Sequence, residues 1–586
     1  MAEKTTPDWN SELLYQADEQ PPKPLAFGLG MQFTLLSLGG IVLMPTIAFR
    51  TAGADESTVA WAVFASLIIA GVITGLQAFP VKRFGAGYVL STGATAAAIA
   101  VTVDALDAGG APLFATLVVV SAILQFIFSY RISMFRRIIT PTVSGIILML
   151  IPVTIAPIVS DRLAEVSPGH LPSEGLICAL VTTAVIVVIS LRGNARLRPW
   201  APIIGIGSGG VVAGAYGLID LDTIAQASWL GLPSTAWPKI GVDLGPSFWG
   251  LLPAFMLVSI SCSIRSISAA LAIQDVSWHK TRAPDLRAVQ GAVAADALAN
   301  LLSGLGGTIM NSTRSTTVAL IINTQVASRS IGLTFGLTLV AFAFVPKAIA
   351  LVLALPPSVL AAYLIIMTAT LFVKGMQLVV SGGLNYSRML ITGLSFWIGA
   401  SCQFGLLLPD KLPLFAGGLF NNGLAAGGIT AITMTILLEF TGGRRRSLET
   451  YLKVSCLPEL RKFAAAFGND NGFTQKMLMR LDAVVEETLL TLLEDQTDDR
   501  VRNRNLKVTA HVEGGDAVLE FIARSSEGNI EDRIALLDDV RDSRPAERDI
   551  SLHLLRHLAS EVQHRQYHDI DLITVRVESS KGNTRP

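Results

Sequence analysis

Residues 295–325 read ADALANLLSGLGGTIMNSTRSTTVALIINTQ, and this stretch decides the fold. A hydroxyl-rich run at 311–317 separates two apolar segments, and the second is shorter than the ~20 residues that a membrane-crossing helix needs. Backbone that leaves the helix at membrane depth must line a cavity or be covered by protein. A second run of this kind, STGAT at 91–95, opens an earlier apolar window.

The two interrupted segments lie at matching places in the chain. If the halves begin near Phe27 and Trp249, both runs fall at nearly the same offset within each half. Such a pair indicates two inverted halves with a transport site between the interruptions. The alternative remains open that these Ser and Thr residues only bond back to their own helices or pack small-residue interfaces.

Composition places most of the chain in lipid. Of the 586 residues, 51% are hydrophobic and 15% are charged, and the mean hydropathy of +0.54 exceeds that of ordinary soluble proteins. The sequence therefore predicts an α-helical polytopic membrane protein with a transporter domain over 25–440 and about fourteen spans. The predicted spans are 28–48, 58–79, 87–104, 113–131, 140–160, 173–191, 199–219, 248–273, 290–306, 314–325, 330–354, 357–378, 390–408 and 413–440.

Basic residues collect in every second connection, for example Lys82 with Arg83 and Arg444 to Arg446. By the positive-inside rule, both termini, including the N-terminal segment 1–24, are expected in the cytoplasm of a bacterial inner membrane. The segment lacks the features of a cleaved signal peptide. Basic and acidic residues number 45 each, and we expect no nucleic-acid partner. The four cysteines have no paired spacing, so we expect free thiols, no metal and no cofactor.

The composition changes after Arg446, where charged residues become frequent. Residues 450–586 are therefore predicted to form a separate soluble α/β domain in the cytoplasm. Periodicity favours a helix with an apolar face, a second helix and several short strands. The predicted elements are helices at 473–495 and 549–563 and strands at 506–512, 517–523 and 570–578.

The membrane part resembles the nucleobase–ascorbate transporters, also called xanthine/uracil permeases. The likeness covers roughly 20–440 and rests on PPKPLAFGLGMQFTLLSLGGIVLMP at the first span, on the stretch quoted above, and on LPPSVLAAYLIIMTATLFVKGMQLVVSG at the twelfth. The resemblance implies two inverted seven-helix repeats, about 28–219 and 248–440, in which a core domain moves against a gate domain as an elevator. It also implies a substrate held between the half-strands and half-helices of the third and tenth spans.

The site residues implied by the resemblance depart from the family pattern. The Gln-His pair of the first span reads Gln32-Phe33, the eighth-span glutamate falls on Cys262, and the acidic or amide signature of the tenth span falls on Thr316-Thr317. The remaining candidates follow from the same spans. The full substrate-binding set is Gln32, Phe33, Thr92, Gly93, Ala94, Cys262, Arg265, Ser266, Asn311, Arg314, Ser315, Thr316 and Thr317.

Two arginines change the predicted chemistry of the site. Arg314 precedes a half-helix whose first amides carry partial positive charge, and residues 312–315 are similar to the serine-arginine-serine element of the sulfate permeases. Arg265 lies in the eighth span, where a charge is costly unless it faces a partner or a cavity. Structural roles remain open: Arg265 could pair with Asp296, and Arg314 could extend to an interface. Asp296 itself is either a coupling group or a structural partner.

The leading hypothesis is a secondary active transporter, not an enzyme. It carries a nucleobase-like or other small anionic metabolite of the xanthine, uracil or urate class by alternating access. One alternative is an inorganic or carboxylate anion transporter of sulfate-permease character, favoured by Arg314 and the missing carboxylate. Another is a transporter-derived membrane sensor that signals through the C-terminal domain. We also expect a homodimer, a coupling proton or sodium ion, and a cytoplasmic protein partner for the C-terminal domain.

The C-terminal domain resembles the ATPase domain of anti-sigma-factor kinases, which belong to the histidine-kinase-like ATPases. Glu486 and Glu487 match the paired glutamates of its first box, but Thr491 stands where magnesium-binding asparagine is usual. The adenine box falls on 525–528 without its aspartate, and the phosphate loop falls on 549–552 without glycines. A phosphate cradle needs glycines so that backbone amides can approach the oxygens. The resemblance therefore implies an inactive, regulatory or protein-binding domain.

From these substitutions we expect that the isolated 450–586 fragment does not bind ATP. The missing aspartate removes the hydrogen-bond acceptor for adenine, and the missing glycines close the loop to the phosphates. Calorimetric titration with ATP and magnesium should give no saturable heat. A measurable affinity for the nucleotide would contradict the expectation.

Overall fold

The computed structural model describes most of the chain, and the ranges follow. Described are residues 13–132, 140–165, 171–194, 197–219, 224–225, 227–233, 244–279, 282, 284–381, 383, 385–407, 422–441, 445–494, 505–513, 515–523, 554–555, 557–567 and 570–578. The chain divides into two compact units. The membrane unit is 1–280 with 288–439, and the C-terminal unit is 440–586 with 281–287.

The described part of the membrane unit is helical except for two short strands. Its elements in chain order are α1 (Lys23–Thr51), α2 (Glu56–Ala78), β1 (Ser91–Ala94), α3 (Ile99–Tyr130), α4 (Pro141–Ala164), α5 (Pro172–Arg192), α6 (Ala201–Ala215), α7 (Pro246–Asp275), α8 (Leu286–Gly306), β2 (Asn311–Arg314), α9 (Thr316–Thr324), α10 (Arg329–Ala343), α11 (Pro346–Leu353), α12 (Pro357–Ser381), α13 (Tyr386–Gln403) and α14 (Gly423–Thr441).

Length and hydropathy identify the membrane-crossing helices. Among the described residues, eight helices are long and apolar enough to span, and shorter apolar helices lie at Ala201–Ala215, Arg329–Ala343 and Gly423–Leu438. The interrupted segments explain part of the difference from the predicted fourteen spans, because β2 and the short helix α9 together make one crossing. The chain is thus an α-helical polytopic membrane protein. The total of about fourteen spans stays a prediction.

Two predicted windows differ from the structure in detail. The window at 87–104 contains β1 followed by the first part of α3, and a break at Gly110 with φ +66° separates this part from a second helix, as the separate window at 113–131 predicts. Glycine adopts this left-handed backbone without the steric cost that a Cβ would bring. The window at 330–354 is divided into α10 and α11, where Pro346 cannot continue the helical hydrogen-bond pattern. The 408–421 part of the last two predicted spans lies outside the described residues.

The helices pack into two groups. The core group contains α1, α2, α3, α7, α8 and α10, with α2 against α10 and α3 against α7 as its extensive contacts, while α8 packs against α2. The gate group contains α4, α5, α6, α12, α13 and α14, with α4 against α12 and α5 against α6 as its extensive contacts. Fewer contacts join the groups. This division matches the core and gate domains that the family resemblance implies.

Glycine lets one helix pair in each group approach closely. In the gate group, a Cβ added to Gly145 of α4 would lie 2.5 Å from the carbonyl oxygen of Gly375 on α12. In the core group, a Cβ on Gly71 of α2 would lie 2.6 Å from the carbonyl oxygen of Gly336 on α10. Small residues at such crossings bring backbones together and replace the hydrophobic effect, which is absent between helices in lipid.

An N-terminal strap, residues 13–19, lies against the core group ahead of α1. The backbone N–H of Leu14 donates to the carbonyl of Gln325 at 2.7 Å, and the N–H of Ala17 donates to the carbonyl of Ser277 at 3.2 Å. Ala17 is buried with 1% exposure. The strap therefore connects the ends of α7 and α9 through main-chain hydrogen bonds.

The C-terminal unit is a sheet covered by two helices. Its described elements are β3 (Arg446–Tyr451), α15 (Leu457–Asp470), α16 (Gln475–Glu494), β4 (Asn505–Glu513), β5 (Asp516–Ala523), β6 (Glu561–Gln566) and β7 (Asp571–Val577). The strand order is β3-β4-β5-β7-β6, and every pair is antiparallel. Apolar residues of α15, α16 and the inner sheet face form one core, which includes Phe467, Leu481 and Phe521.

The sequence predicted α16, β4, β5 and β7 within a few residues. The predicted helix at 549–563 is wrong at its end, because β6 begins at Glu561 and pairs with β7. Its alternating burial fits a strand whose one face meets the core. Strand β3 and helix α15 were not predicted. The adenine box at 525–528 and the phosphate loop at 549–552 lie outside the described residues.

The glycine crossing of the gate group gives a stability prediction. We expect Gly145→Val to lower stability by about 1–3 kcal/mol, the usual cost of overpacking, because its side chain would meet backbone of α12. The measurement is the midpoint of thermal unfolding in detergent. Gly393→Ala on α13 is the matched control, since no atom lies within 4 Å of the added Cβ. Equal midpoints for both variants would contradict the packing argument.

Candidate substrate site

The centre of the membrane unit is an antiparallel pair of four-residue strands. Ser91 of β1 pairs with Arg314 of β2, and Ala94 pairs with Asn311. This pairing satisfies the backbone groups that an interrupted helix would otherwise leave open in lipid. Antiparallel pairing of segments from the two halves is the arrangement expected for inverted repeats.

Each strand leads directly into a helix that starts beside the pair. After β1, the Thr95 side chain accepts a hydrogen bond from the Ala97 N–H and caps a 3₁₀ turn that continues into α3. After β2, α9 begins at Thr316. The first amides of a helix carry partial positive charge because they lack intrahelical acceptors. Two such helix starts therefore meet at the strand pair.

Asp296 of α8 holds the strand pair from behind. Its carboxylate accepts hydrogen bonds from the backbone N–H of Thr313 at 2.8 Å and from the Thr313 hydroxyl at 2.7 Å. The hydroxyl of Ser266 on α7 donates to the same carboxylate, and the Thr92 hydroxyl lies at 3.5 Å. Asp296 is fully buried. A carboxylate with this many donors is a structural anchor for β2.

A chain of neutral side chains fixes the start of β2. The Asn300 side chain accepts from the Asn311 backbone N–H at 2.6 Å and donates to Gln125 of α3 at 2.8 Å. Gln125 donates in turn to the Ser263 hydroxyl of α7 at 3.2 Å. All four residues are buried. The chain joins β2 to α8, α3 and α7 without adding charge and so rigidifies the core group.

Both arginines reach the turn that follows β1. Arg314 donates through its Nη2 to the carbonyl of Ala94 and, at 3.3 Å, to the carbonyl of Gly40 on α1. Arg265 donates from α7 to the Thr95 hydroxyl at 2.7 Å. Arg265 and Asp296 attract each other electrostatically, although no salt bridge within 4.0 Å joins these two described residues.

The electrostatic balance at this turn is positive. The two guanidinium groups repel each other electrostatically, and Arg314 also interacts with the hydroxyl of Tyr363 on the gate helix α12. The helix starts after β1 and β2 add their positive ends. The neighbouring hydroxyls of Ser315 and Thr316 belong to exposed residues. Hydroxyls, amides and guanidinium groups together form a surface that suits an anion.

The other predicted residues divide by position. Gly93, Thr92 and Ala94 lie in β1, and a Cβ on Gly93 would be 2.7 Å from Ile41 of α1 and 3.3 Å from the Arg314 guanidinium. Phe33 is fully buried and stacks edge-on against Phe335 of α10 at 6.1 Å. It therefore packs inside the core group, and its part in the site stays a prediction.

Three further predicted residues lie on the helices around the strands. Gln32 is half-buried on α1. Cys262 on α7 is fully buried and interacts with Ser312 of β2. The Thr317 hydroxyl on α9 is buried without a hydrogen-bond partner in the structure. Within the described ranges, no group of three or more His, Cys, Asp or Glu could hold a metal ion.

Sequence reasoning missed three contributors to the site. Gly40 accepts from Arg314, and Thr95 accepts from Arg265. Gln77 of α2 donates to the Thr313 hydroxyl at 3.1 Å and accepts from the Ala86 N–H. Thr95 closes the STGAT run, which was a usable signal. Gly40 contributes a main-chain carbonyl, and no side-chain pattern could have identified it.

Comparison with known proteins gives consistent relatives. A family model described as a permease family (Xan_ur_permease) matches residues 26–408. The xanthine permease XanP of Escherichia coli K12 is 26% identical over 445 residues, which is 73% of this chain and 95% of that protein. The uric acid permease PucK of Bacillus subtilis is 25% identical over 411 residues, 69% of this chain and 94% of that protein.

Two solved structures are also similar. The transmembrane domain of the cyanobacterial bicarbonate transporter BicA aligns with a TM-score of 0.42 at 13% identity, over 72% of this chain and 99% of that one. The murine anion transporter Slc26a9 in the inward-facing state aligns with a TM-score of 0.46 at 13% identity, over 75% of each chain. Because the family model spans residues 26–408, which include both strands and both arginines, the chain belongs to this permease family, the nucleobase–ascorbate transporters, and is a membrane transporter rather than an enzyme.

Proposed function

We propose that the protein is a secondary active transporter of a purine-type nucleobase in its anionic form, with xanthine and urate as the substrate class. The substrate binds at the turn after β1, between the two half-helix starts, and moves by alternating access. The observation that carries this proposal is the position of Arg314, whose guanidinium lies across the Ala94 and Gly40 carbonyls.

Charge balance supports an anionic substrate. Arg265 and Arg314 contribute two positive charges to the strand pair, and Asp296 contributes one negative charge. An unbalanced positive charge inside the membrane is costly, and a bound monoanion would neutralise it. Lys374, an exposed residue of α12, also interacts electrostatically with Arg265. A substrate that approaches along this side would meet a favourable field.

The names of the relatives support a purine within the anion class. The curated proteins similar to this chain include a xanthine permease, a uric acid permease and a putative purine permease of Clostridium perfringens. A planar oxopurine anion offers carbonyl and ring-nitrogen acceptors to a guanidinium fork. The exposed hydroxyls of Ser315 and Thr316 can donate to the remaining acceptors.

A second candidate is an inorganic or carboxylate anion. The observation that favours it is the donor set around the turn: among the described contacts of Arg265 and Arg314 there are carbonyl and hydroxyl oxygens but no carboxylate. Small anions such as sulfate or bicarbonate need only donors and positive charge. The two candidates share the site and differ in how much of it the substrate fills.

Several finer features belong to the same proposal. The substrate-binding residues named from the sequence form the binding surface, except that Phe33 acts through packing. Both termini are cytoplasmic, the membrane unit forms a homodimer, and a proton or sodium ion drives transport. The C-terminal unit is a cytoplasmic domain that binds a protein. The alternation of basic connections supports the orientation, and the degenerate nucleotide boxes support a protein partner.

Arg314 gives the direct test of the site. We expect Arg314→Gln to lower uptake of radiolabelled urate or xanthine into proteoliposomes by roughly tenfold to a hundredfold, the range for losing a charge-assisted hydrogen bond. Arg314→Lys keeps the charge but loses the planar fork, so its uptake rate should lie between those of the wild type and Arg314→Gln. The matched control is Arg198→Gln, an exposed position away from the strands. Wild-type uptake by Arg314→Gln would remove the residue from the site.

A thermal-shift screen separates the candidates for the substrate. A ligand that binds the folded protein raises the unfolding midpoint by mass action. We expect stabilisation of the purified protein by urate and xanthine, and none by sulfate, bicarbonate or dicarboxylates at equal concentration. The Arg314→Gln variant should lose the shift. Stabilisation by the small anions alone would favour the second candidate.

A further inference from the structure

Among the described residues, two side-chain hydrogen bonds join the core group to the gate group. In the first, Nε of Arg162 on α4 donates to the side-chain oxygen of Thr51, the last residue of α1, at 3.1 Å. Arg162 also pairs with Glu165 at 2.5 Å, and its side chain is only 16% exposed. The guanidinium is therefore held at the end of the gate helix and extends to the end of a core helix.

The second contact involves Asp104 of α3 and Asn422, the residue before α14. Nδ2 of Asn422 donates to the Asp104 carboxylate at 3.1 Å. The Asn422 side-chain oxygen accepts from the Ala425 N–H at 3.0 Å and so caps α14. The next residue, Gly423, donates its N–H to Gln403 of α13 at 3.0 Å. Asn422 is thus fixed to the gate group, while Asp104 belongs to the core group.

Both contacts lie at the same face of the membrane unit. Helix α1 reaches this face at Thr51, and α2 returns to the opposite face. The chain then enters through β1 at mid-depth and continues in α3, so that Asp104 lies between the strand and the face of Thr51. The predicted topology puts this face outside the cell.

Apolar side chains close the space beside the polar contacts. Ile47 of α1 and Leu360 and Leu364 of α12 line one narrow cleft together with Arg162. Their exposures are 4%, 3% and 0%. Core and gate helices therefore meet here through an apolar seal as well as through hydrogen bonds.

We propose that the Thr51–Arg162 and Asp104–Asn422 contacts form a two-point outer latch, which closes the substrate path at this face and must break when the core group moves. The latch depends on transport by relative movement of the two groups and on no particular substrate. It explains why two otherwise unrelated polar pairs bridge the groups at one level, next to an apolar seal.

Cysteine labelling tests the latch without any substrate. Leu360→Cys places a reporter thiol in the seal, and the four native cysteines, which are buried free thiols, give the background in the parent protein. In membrane vesicles, a membrane-impermeant maleimide is added from each side. We expect Arg162→Met with Asn422→Ala to raise the labelling rate from the Thr51 face about tenfold, as the loss of two hydrogen bonds of ordinary net strength implies.

The matched control breaks a polar pair inside one group. Thr334→Val removes the hydrogen bond from the Thr334 hydroxyl to the Ala26 carbonyl, at 2.9 Å between α10 and α1 of the core group, and should leave the labelling rate unchanged. Thr51→Val removes only the acceptor hydroxyl and should give about a threefold increase, which keeps the test available if the double variant does not fold. Parental labelling rates in the latch variants that elute as folded protein, or an equal increase in Thr334→Val, would overturn the proposal.

Discussion

The β1–β2 pair is the constraint on which the membrane unit depends. Lipid offers no hydrogen bonds, so two chain segments can leave the helix at mid-depth only if they satisfy each other. The pair does this with four residues on each side. Asp296 and the chain through Asn300 and Gln125 then fix the strands to α7, α8 and α3. The strand pair is therefore the reason why both half-helices start at the same place.

The position of the strands determines the chemistry of the site. Each following helix starts with unpaired amides, and both arginines point their donors at the turn after β1. Asp296 accepts hydrogen bonds from hydroxyls and an amide behind the strands and also attracts Arg265 electrostatically, so it offsets one of the two positive charges. The positive charge that remains at the turn suits an anionic ligand. The proposed substrate class follows from that balance as much as from the family.

Sequence predicted the features that depend on composition and local pattern. Hydropathy located the helices, and the 91–95 and 311–317 runs located the strands, because hydroxyl-rich interruptions have few other uses at membrane depth. It failed where tertiary contacts decide. The edge-on contact of Phe33 with Phe335 could not be predicted from the sequence, and the predicted helix at 549–563 runs into the first three residues of β6 because that short run lacks a clear alternation. The Arg314 contact with the Gly40 carbonyl could not be predicted, since any residue supplies a carbonyl.

The N-terminal strap has a practical consequence. Its main-chain hydrogen bonds run to Gln325, at the end of α9, and to Ser277, just after α7. Helix α9 follows Arg314, and α7 contains Arg265. In the proposed mechanism the leading segment is therefore attached to the group of helices that moves, and Leu14, at 63% exposure, offers a surface position on it. A spectroscopic probe at that residue would travel with the substrate carrier and report its displacement relative to a second probe on α13.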